Sequence, residues 1–280
     1  MNKEKKPEII AIIGGLGKMG NKFKKAFEKE GYNVIISDLK TKISNQEAAK
    51  RGDVVIISVP IRKTEKIIVE IIPFLKKDAL LTDFTSIKMR PMELMMKNRG
   101  FKGEVIGGHP LFGPTTDFKN QNIILCKGRE GKYGAWYRNF LKSLGIRIIE
   151  MNSLEHDKQM AVIQCLTHFS NLSLGYALSK LDYDLNQGEK IATPIYKLRL
   201  YGVGRILAQD PDLYADIQFL NPFAKDVSSI YLKAVEELND SVLLSRERKF
   251  ISIFKRSQEY FGDFKEKSLK ITDKIIRVMK

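Results

Sequence analysis

The chain is poor in cysteine and histidine, has a single tryptophan, and contains no long apolar run. Its two cysteines, Cys126 and Cys165, are too few for a disulfide framework and stand at no metal-ligand spacing. Both are expected to be reduced and buried, and no metal site is expected. No apolar stretch approaches the roughly 20 residues that span a bilayer, and the start, from Met1 to Pro7, lacks the apolar core of a signal peptide. A cytoplasmic protein without a membrane partner is the expectation. Internal repeats and glycine-serine or proline-rich linkers are missing too. Charge is uneven: 48 basic against 33 acidic residues give a formal +15. The basic residues are scattered among the acids and gather in no arm or stripe, which argues against a nucleic-acid partner. They leave a lysine-rich surface whose field draws in small anions.

What is present is organised around residues 9–20. The run Ile9-Ile-Ala-Ile-Ile13 is apolar and mostly β-branched, as suits a strand buried on both faces of a parallel sheet, and it ends in closely spaced glycines. Gly15, Gly17 and Gly20 spell G-x-G-x-x-G. The first would allow a tight turn, the second a close backbone approach to a pyrophosphate, and the third close packing of helix on strand. Leu16, Lys18 and Met19 lie between these glycines at a helix start whose backbone N–H groups would face phosphates. A helix over 18–30 stops at Gly31, and a second strand over 33–37 ends at Asp38. There a carboxylate accepts hydrogen bonds from an adenosine ribose and repels a 2′-phosphate, which favours NAD over NADP as the cofactor. Lys40 and Lys42 are the competing cations.

Strands follow over 53–60, 79–84, 104–107, 122–127 and 145–151, with helices over 64–75 and 86–98 and another carrying Trp136. The fold class is α/β, a Rossmann-type doubly wound, mostly parallel sheet. Near Asn152 the pattern changes. Asn152-Ser153 can cap a helix running from Leu154 to about Lys180, and nothing beyond it alternates with period two. Prolines at 194, 211 and 222 punctuate further helices, and 224–280 reads as two or three amphipathic ones. The expected domains are 1–151, which binds the nucleotide, and 152–280, all-α.

Ligands of open parallel sheets bind at the carboxyl ends of the strands. Three loops qualify: Ser58 and Pro60 after the third strand, Ser86 and Lys88 after the fourth, and Gly107-Gly-His-Pro-Leu-Phe-Gly-Pro114 after the fifth. His109, set among glycines and prolines where turn chemistry would fix the imidazole, is the leading catalytic candidate.

The motif around His109 resembles the catalytic-histidine loop of the prephenate dehydrogenase family, and Asp83-Phe-Thr-Ser-Ile-Lys88 resembles its D-x-x-S-[VI]-K loop. Further blocks resemble the family in the same order: His156-Asp-Lys-Gln-Met160, Thr167-His-Phe-Ser170, Pro194-Ile-Tyr-Lys-Leu198, Gly204-Arg-Ile-Leu-Ala-Gln-Asp210 and Leu213-Tyr-Ala-Asp-Ile217. The resemblance implies an NAD-dependent oxidative decarboxylation of prephenate in tyrosine biosynthesis. His109 matches the histidine that takes the proton of the ring hydroxyl while hydride leaves for the nicotinamide. Ser86 matches the serine that helps hold that hydroxyl, with orientation of His109 as a further role. Arg205 matches the arginine that grips a substrate carboxylate. Lys88, His168 and Tyr214 match residues at or near that pocket. A homodimer through a helical domain that also binds substrate is implied as well, and 280 residues leave no room for an appended mutase or regulatory domain.

Physical chemistry bears on two of these. A planar guanidinium can bind a carboxylate through two parallel hydrogen bonds, and an arginine buried in an apolar helical domain needs such a partner. For Arg205 the alternative is an internal ion pair with Asp210 or Asp216. His168 is either a satisfied core histidine or a ligand contact. Competing functions are an arogenate dehydrogenase, a β-hydroxyacid dehydrogenase, whose asparagine pattern around the helix lysine is missing at Lys158 and Lys180, and a non-catalytic NAD-binding redox sensor.

Overall fold

The computed structural model describes residues 5–98 and 100–279; the first four residues of the charged start, Arg99 and Lys280 lie outside them. By compactness the chain forms two units, Met1–Ala161 with Asp212–Pro222, and Val162–Pro211 with Phe223–Lys280.

In the first unit the elements run β1 (Ile9–Ile13), α1 (Lys18–Lys29), β2 (Asn33–Ser37), α2 (Asn45–Arg51), β3 (Val54–Ile57), α3 (Ile61–Ile71), β4 (Leu80–Asp83) and α4 (Met89–Lys97). They continue with β5 (Glu104–Pro110), β6 (Asn122–Lys127), α5 (Lys132–Ser143), β7 (Arg147–Met151) and α6 (Ser153–Met160). The strands form one seven-stranded sheet ordered β2-β1-β3-β4-β5-β6-β7, parallel except where β5 meets β6. Alternation along β1 shows why both faces are apolar. Ile10 and Ile12 enter one core with Phe23 and Phe27 of α1 and Trp136, Tyr137 and Phe140 of α5. Ala11 and Ile13 enter the other, with Ala48 and Ala49 of α2, Ile68 and Ile71 of α3, and Met92 and Met95 of α4. Each isoleucine so enclosed contributes about 1.5–3 kcal/mol relative to exposure. The two cysteines are both buried, and burial pushes the Cys126 thiol up to about 12.

Two local readings change. Helix α2 was not expected; Ser44 caps it, accepting the Glu47 N–H at 3.1 Å. Strand β5 continues through Pro110, with His109 opposite Ile124 of β6, so His109 is a strand residue and not part of a turn. Its glycines serve close packing. A Cβ on Gly107 would meet the Met92 sulfur at 2.7 Å, and one on Gly108 the Asp83 carbonyl at 2.6 Å.

The long helix expected from Leu154 is α6, a π-helical segment Ala161–Leu166 and α7 (Thr167–Lys180), started by Asn152, which accepts the Glu155 N–H at 2.8 Å. Then come α8 (Leu185–Ile191), α9 (Pro194–Leu207), α10 (Pro211–Leu220), α11 (Ala224–Leu243), α12 (Glu247–Phe261) and α13 (Phe264–Val278). Helix α6 and most of α10, expected in the helical domain, belong to the sheet unit by compactness. Arg62 at the start of α3 pairs with the buried Asp216 of α10 through its Nε. No helix among the described residues is long and apolar enough to cross a membrane.

Candidate active site

The glycine turn sits where β1 gives way to α1. Its left-handed residue is Gly14, at φ 85°, not Gly15. Gly15 is instead excluded from carrying a side chain by Ile36, and Gly20 by the Gly14 carbonyl. Gly17 caps α1 without a side-chain bond, and the first turn holds no acid. The leading N–H groups of a twelve-residue helix therefore meet no competing carboxylate of their own, which suits a pyrophosphate. Leu16 and Lys18 are exposed here, whereas the Met19 side chain packs on the aromatic core, leaving its backbone as its means of reaching a ligand. Asp38, half-buried at the end of β2, accepts the Leu16 N–H at 3.0 Å and the Leu39 N–H at 2.8 Å. The carboxylate thus braces the glycine turn and keeps lone pairs for ribose hydroxyls. Ser58 donates its N–H to Ile13 at 2.7 Å, closing the turn from the β3 side, and Pro60 is the exposed cap of α3. These residues fit a dinucleotide.

The neighbouring loops start from Asp83, fully buried at the end of β4. It accepts the Thr85 N–H at 3.0 Å and the Gly108 N–H at 3.3 Å, and it pairs with the Lys88 ammonium, which also donates to Thr85 Oγ1 at 2.8 Å. Lys88 is 0% exposed. Its charge is paired inside the domain, where it ties β4 to the loop that carries Ser86 and stands near enough to His109 to lower that imidazole. Ser86 itself is half-buried.

On the adjacent strand, the buried His109 ring places Nδ1 at 2.8 Å from Nε2 of His156, and His156 Nδ1 lies 2.7 Å from Asp157 Oδ1. Nδ1 of His109 is therefore held by His156 and not by Ser86. Asp157 also accepts the backbone N–H groups of Lys88 at 2.8 Å and Met89 at 2.9 Å, capping α4 from a distant part of the chain. Asn221 donates to the Asp157 carbonyl at 2.9 Å. Burial, then the neighbouring His156 and Lys88, hold His109 well below the ordinary imidazole range. Burial also lowers His156, with the bond to Asp157 opposing it. Both rings are neutral near pH 7. Sequence reasoning missed His156 and Asp157 as site residues, although both stand in one of the blocks that resemble the family.

The remaining expectations separate. Tyr214 is half-buried on α10, in the sheet unit. His168 and Arg205 lie in the helical unit on α7 and α9, which pack together where a Cβ on Gly175 would meet Val203 at 3.0 Å. Burial pushes His168 down to about 4. Arg205 is exposed on the last turn of α9 and forms no ion pair among the described residues, so the expectation of a buried guanidinium is corrected. Asp216, offered as its internal partner, is taken by Arg62.

Comparison with known proteins places this arrangement. The prephenate dehydrogenase nucleotide-binding domain matches residues 24–150, and the prephenate dehydrogenase dimerization domain residues 152–256. A probable arogenate/prephenate dehydrogenase of Methanocaldococcus jannaschii is 35% identical over 95% of this chain, which spans 64% of that protein's length. The T-protein of Enterobacter agglomerans is 33% identical over 97% of this chain and 73% of its own length. Among solved structures, Aquifex aeolicus prephenate dehydrogenase in complex with hydroxyphenyl propionate and NAD+ superposes with a TM-score of 0.74 at 20% identity, covering 96% of this chain and all of that one. The two family models together match residues 24–150 and 152–256, and the chain belongs to the prephenate dehydrogenase family.

Proposed function

We propose that the chain catalyses the oxidative decarboxylation of prephenate to 4-hydroxyphenylpyruvate with NAD. The observation that carries this reading is His109, a buried, neutral imidazole near the carboxyl end of β5, in the same sheet whose β1 leads into the glycine turn. In the reaction the ring hydroxyl gives its proton to His109, hydride departs from the same carbon, and the ring carboxylate leaves as carbon dioxide while the ring becomes aromatic. NAD, when bound, supplies the hydride acceptor. Ser86 is assigned to the same hydroxyl, and Arg205, His168 and Tyr214 to the rest of the substrate. The exposure of Arg205 suits a guanidinium that meets its carboxylate only when ligand is present.

Asp38 supports NAD over NADP, since a carboxylate at the end of β2 disfavours a 2′-phosphate. A relative from Saccharomyces cerevisiae is named an NADP(+) prephenate dehydrogenase, so the choice is tested and not inherited. The helical unit is assigned to a homodimer, supported by the matched dimerization domain and by apolar side chains left exposed along α11 to α13. The test is reduced-nicotinamide absorbance on the purified protein with prephenate or arogenate and NAD or NADP. Formation of NADH with prephenate is expected. Preference for arogenate would keep the chemistry and change the substrate, and silence in every combination by folded, NAD-binding protein would favour the sensor.

A further inference from the structure

We propose that His156 and Asp157 are positioning residues that fix the tautomer of His109, making Nε2 its proton-accepting nitrogen; this rests on the reading of His109 as the base. The steps are forced by donor and acceptor counting. The Asp157 carboxylate can only accept, so across 2.7 Å His156 must donate from Nδ1. A neutral imidazole carries one N–H, so His156 Nε2 is then an acceptor. Across 2.8 Å, His109 must therefore donate from Nδ1, which leaves its Nε2 with a lone pair. The opposite tautomer would set two N–H groups, or two lone pairs, against each other inside the protein.

Asp157 is held in place by groups outside the histidine pair. Its two oxygens take the first N–H groups of α4, where a helix N-terminus favours negative charge, and the residue is 0% exposed. The chain of bonds therefore runs from the start of α4 through Asp157 and His156 to His109. When the substrate proton arrives on His109 Nε2, the new positive charge faces a path of hydrogen bonds that ends in a carboxylate. The proton stays on Nε2, and no bond in the pair need break.

The test joins spectroscopy to kinetics on the full-length protein with NAD and prephenate. Nitrogen-15 shifts of the His109 ring in the parent should show Nδ1 protonated and Nε2 bare. His156→Phe keeps ring bulk and removes the acceptor; kcat should fall about 10²-fold, with KM and NAD affinity within about threefold. His156→Gln, which restores an acceptor oxygen, should recover part of the loss, a rescue that a packing role would not give. A parent His109 protonated on Nε2 would overturn the proposal. So would full turnover in His156→Phe, or in Asp157→Asn should the phenylalanine variant not fold. If His109→Asn itself kept full turnover, the base assignment would fail, and the positioning role with it.

Discussion

The two units of this chain solve the problem of apolar surface in opposite ways. The sheet unit closes on itself: β1, β3 and β4 bury nearly every residue, and the charges it encloses have partners, Lys88 with Asp83 and Asp157 with the neutral His156 ring and two backbone N–H groups. In the helical unit α12 and α13 contain no buried residue, and Phe254, Tyr260, Leu269 and Val278 face outward. Their apolar stripes are nonetheless periodic, as for helices that are covered. The difference teaches that the first unit encloses its apolar residues within one chain, whereas the second leaves periodic apolar side chains of α12 and α13 exposed.

The largest test of that contrast is Lys88→Met. It leaves Asp83 charged and unpaired in the core, and the sheet unit should lose about 3–5 kcal/mol by denaturant unfolding. A loss below about 1 kcal/mol would mean that Asp83 finds other partners and the unit is less tightly specified than described. Next, Phe254→Glu places a charge on the outward stripe of α12. Sedimentation should show dissociation of the proposed homodimer with the sheet unit's cofactor binding intact, and an unchanged mass would move the interface elsewhere. Asp38→Ala should weaken NAD binding by about 1.5–3 kcal/mol, the range for a hydrogen bond to a charged group, and narrow the gap to NADP. Equal NAD binding would leave Asp38 as a brace for Leu16 only.

The smallest effect is on pH, and here the units should agree. His109, His156 and His168 all have folded values below the ordinary imidazole value, so the unfolded chain binds more protons in acid. Stability should be constant above about pH 6.5 and fall as pH drops below it, with the His168 contribution lost progressively down to about 4. The acid limb of kcat/KM should likewise lie below about 6.5. A limb above that value would contradict a neutral, buried His109.

Legibility follows the range of the interactions. The order of strand, glycine turn, helix, strand and Asp38 is written in local periodicity, and the sequence places all of it. The capping of the long helix by Asn152 is equally local. His109 is legible through its motif, but its backbone is not, because Gly107 and Gly108 look like a turn and are in fact small residues under Met92 and Asp83. His156 lies 47 residues from His109, and Asp157 lies 69 from Lys88, so no pattern within either segment announces the bonds between them. The burial of Lys88 is hidden for a related reason. A lysine in a loop reads as surface until a buried carboxylate five residues earlier is seen to claim it. Arg205 errs the other way: an arginine in an apolar helical stretch reads as buried, yet on the last turn of α9 it is exposed.

Turnover of His109→Asn with prephenate and NAD, measured beside NAD affinity on the same preparation, tests the central claim most directly. The expected result is a fall of about 10²- to 10⁴-fold with NAD binding unchanged, because the base is lost and the glycine turn is not. Turnover within about twofold of the parent would contradict it, and the proton would then have to leave by some other group.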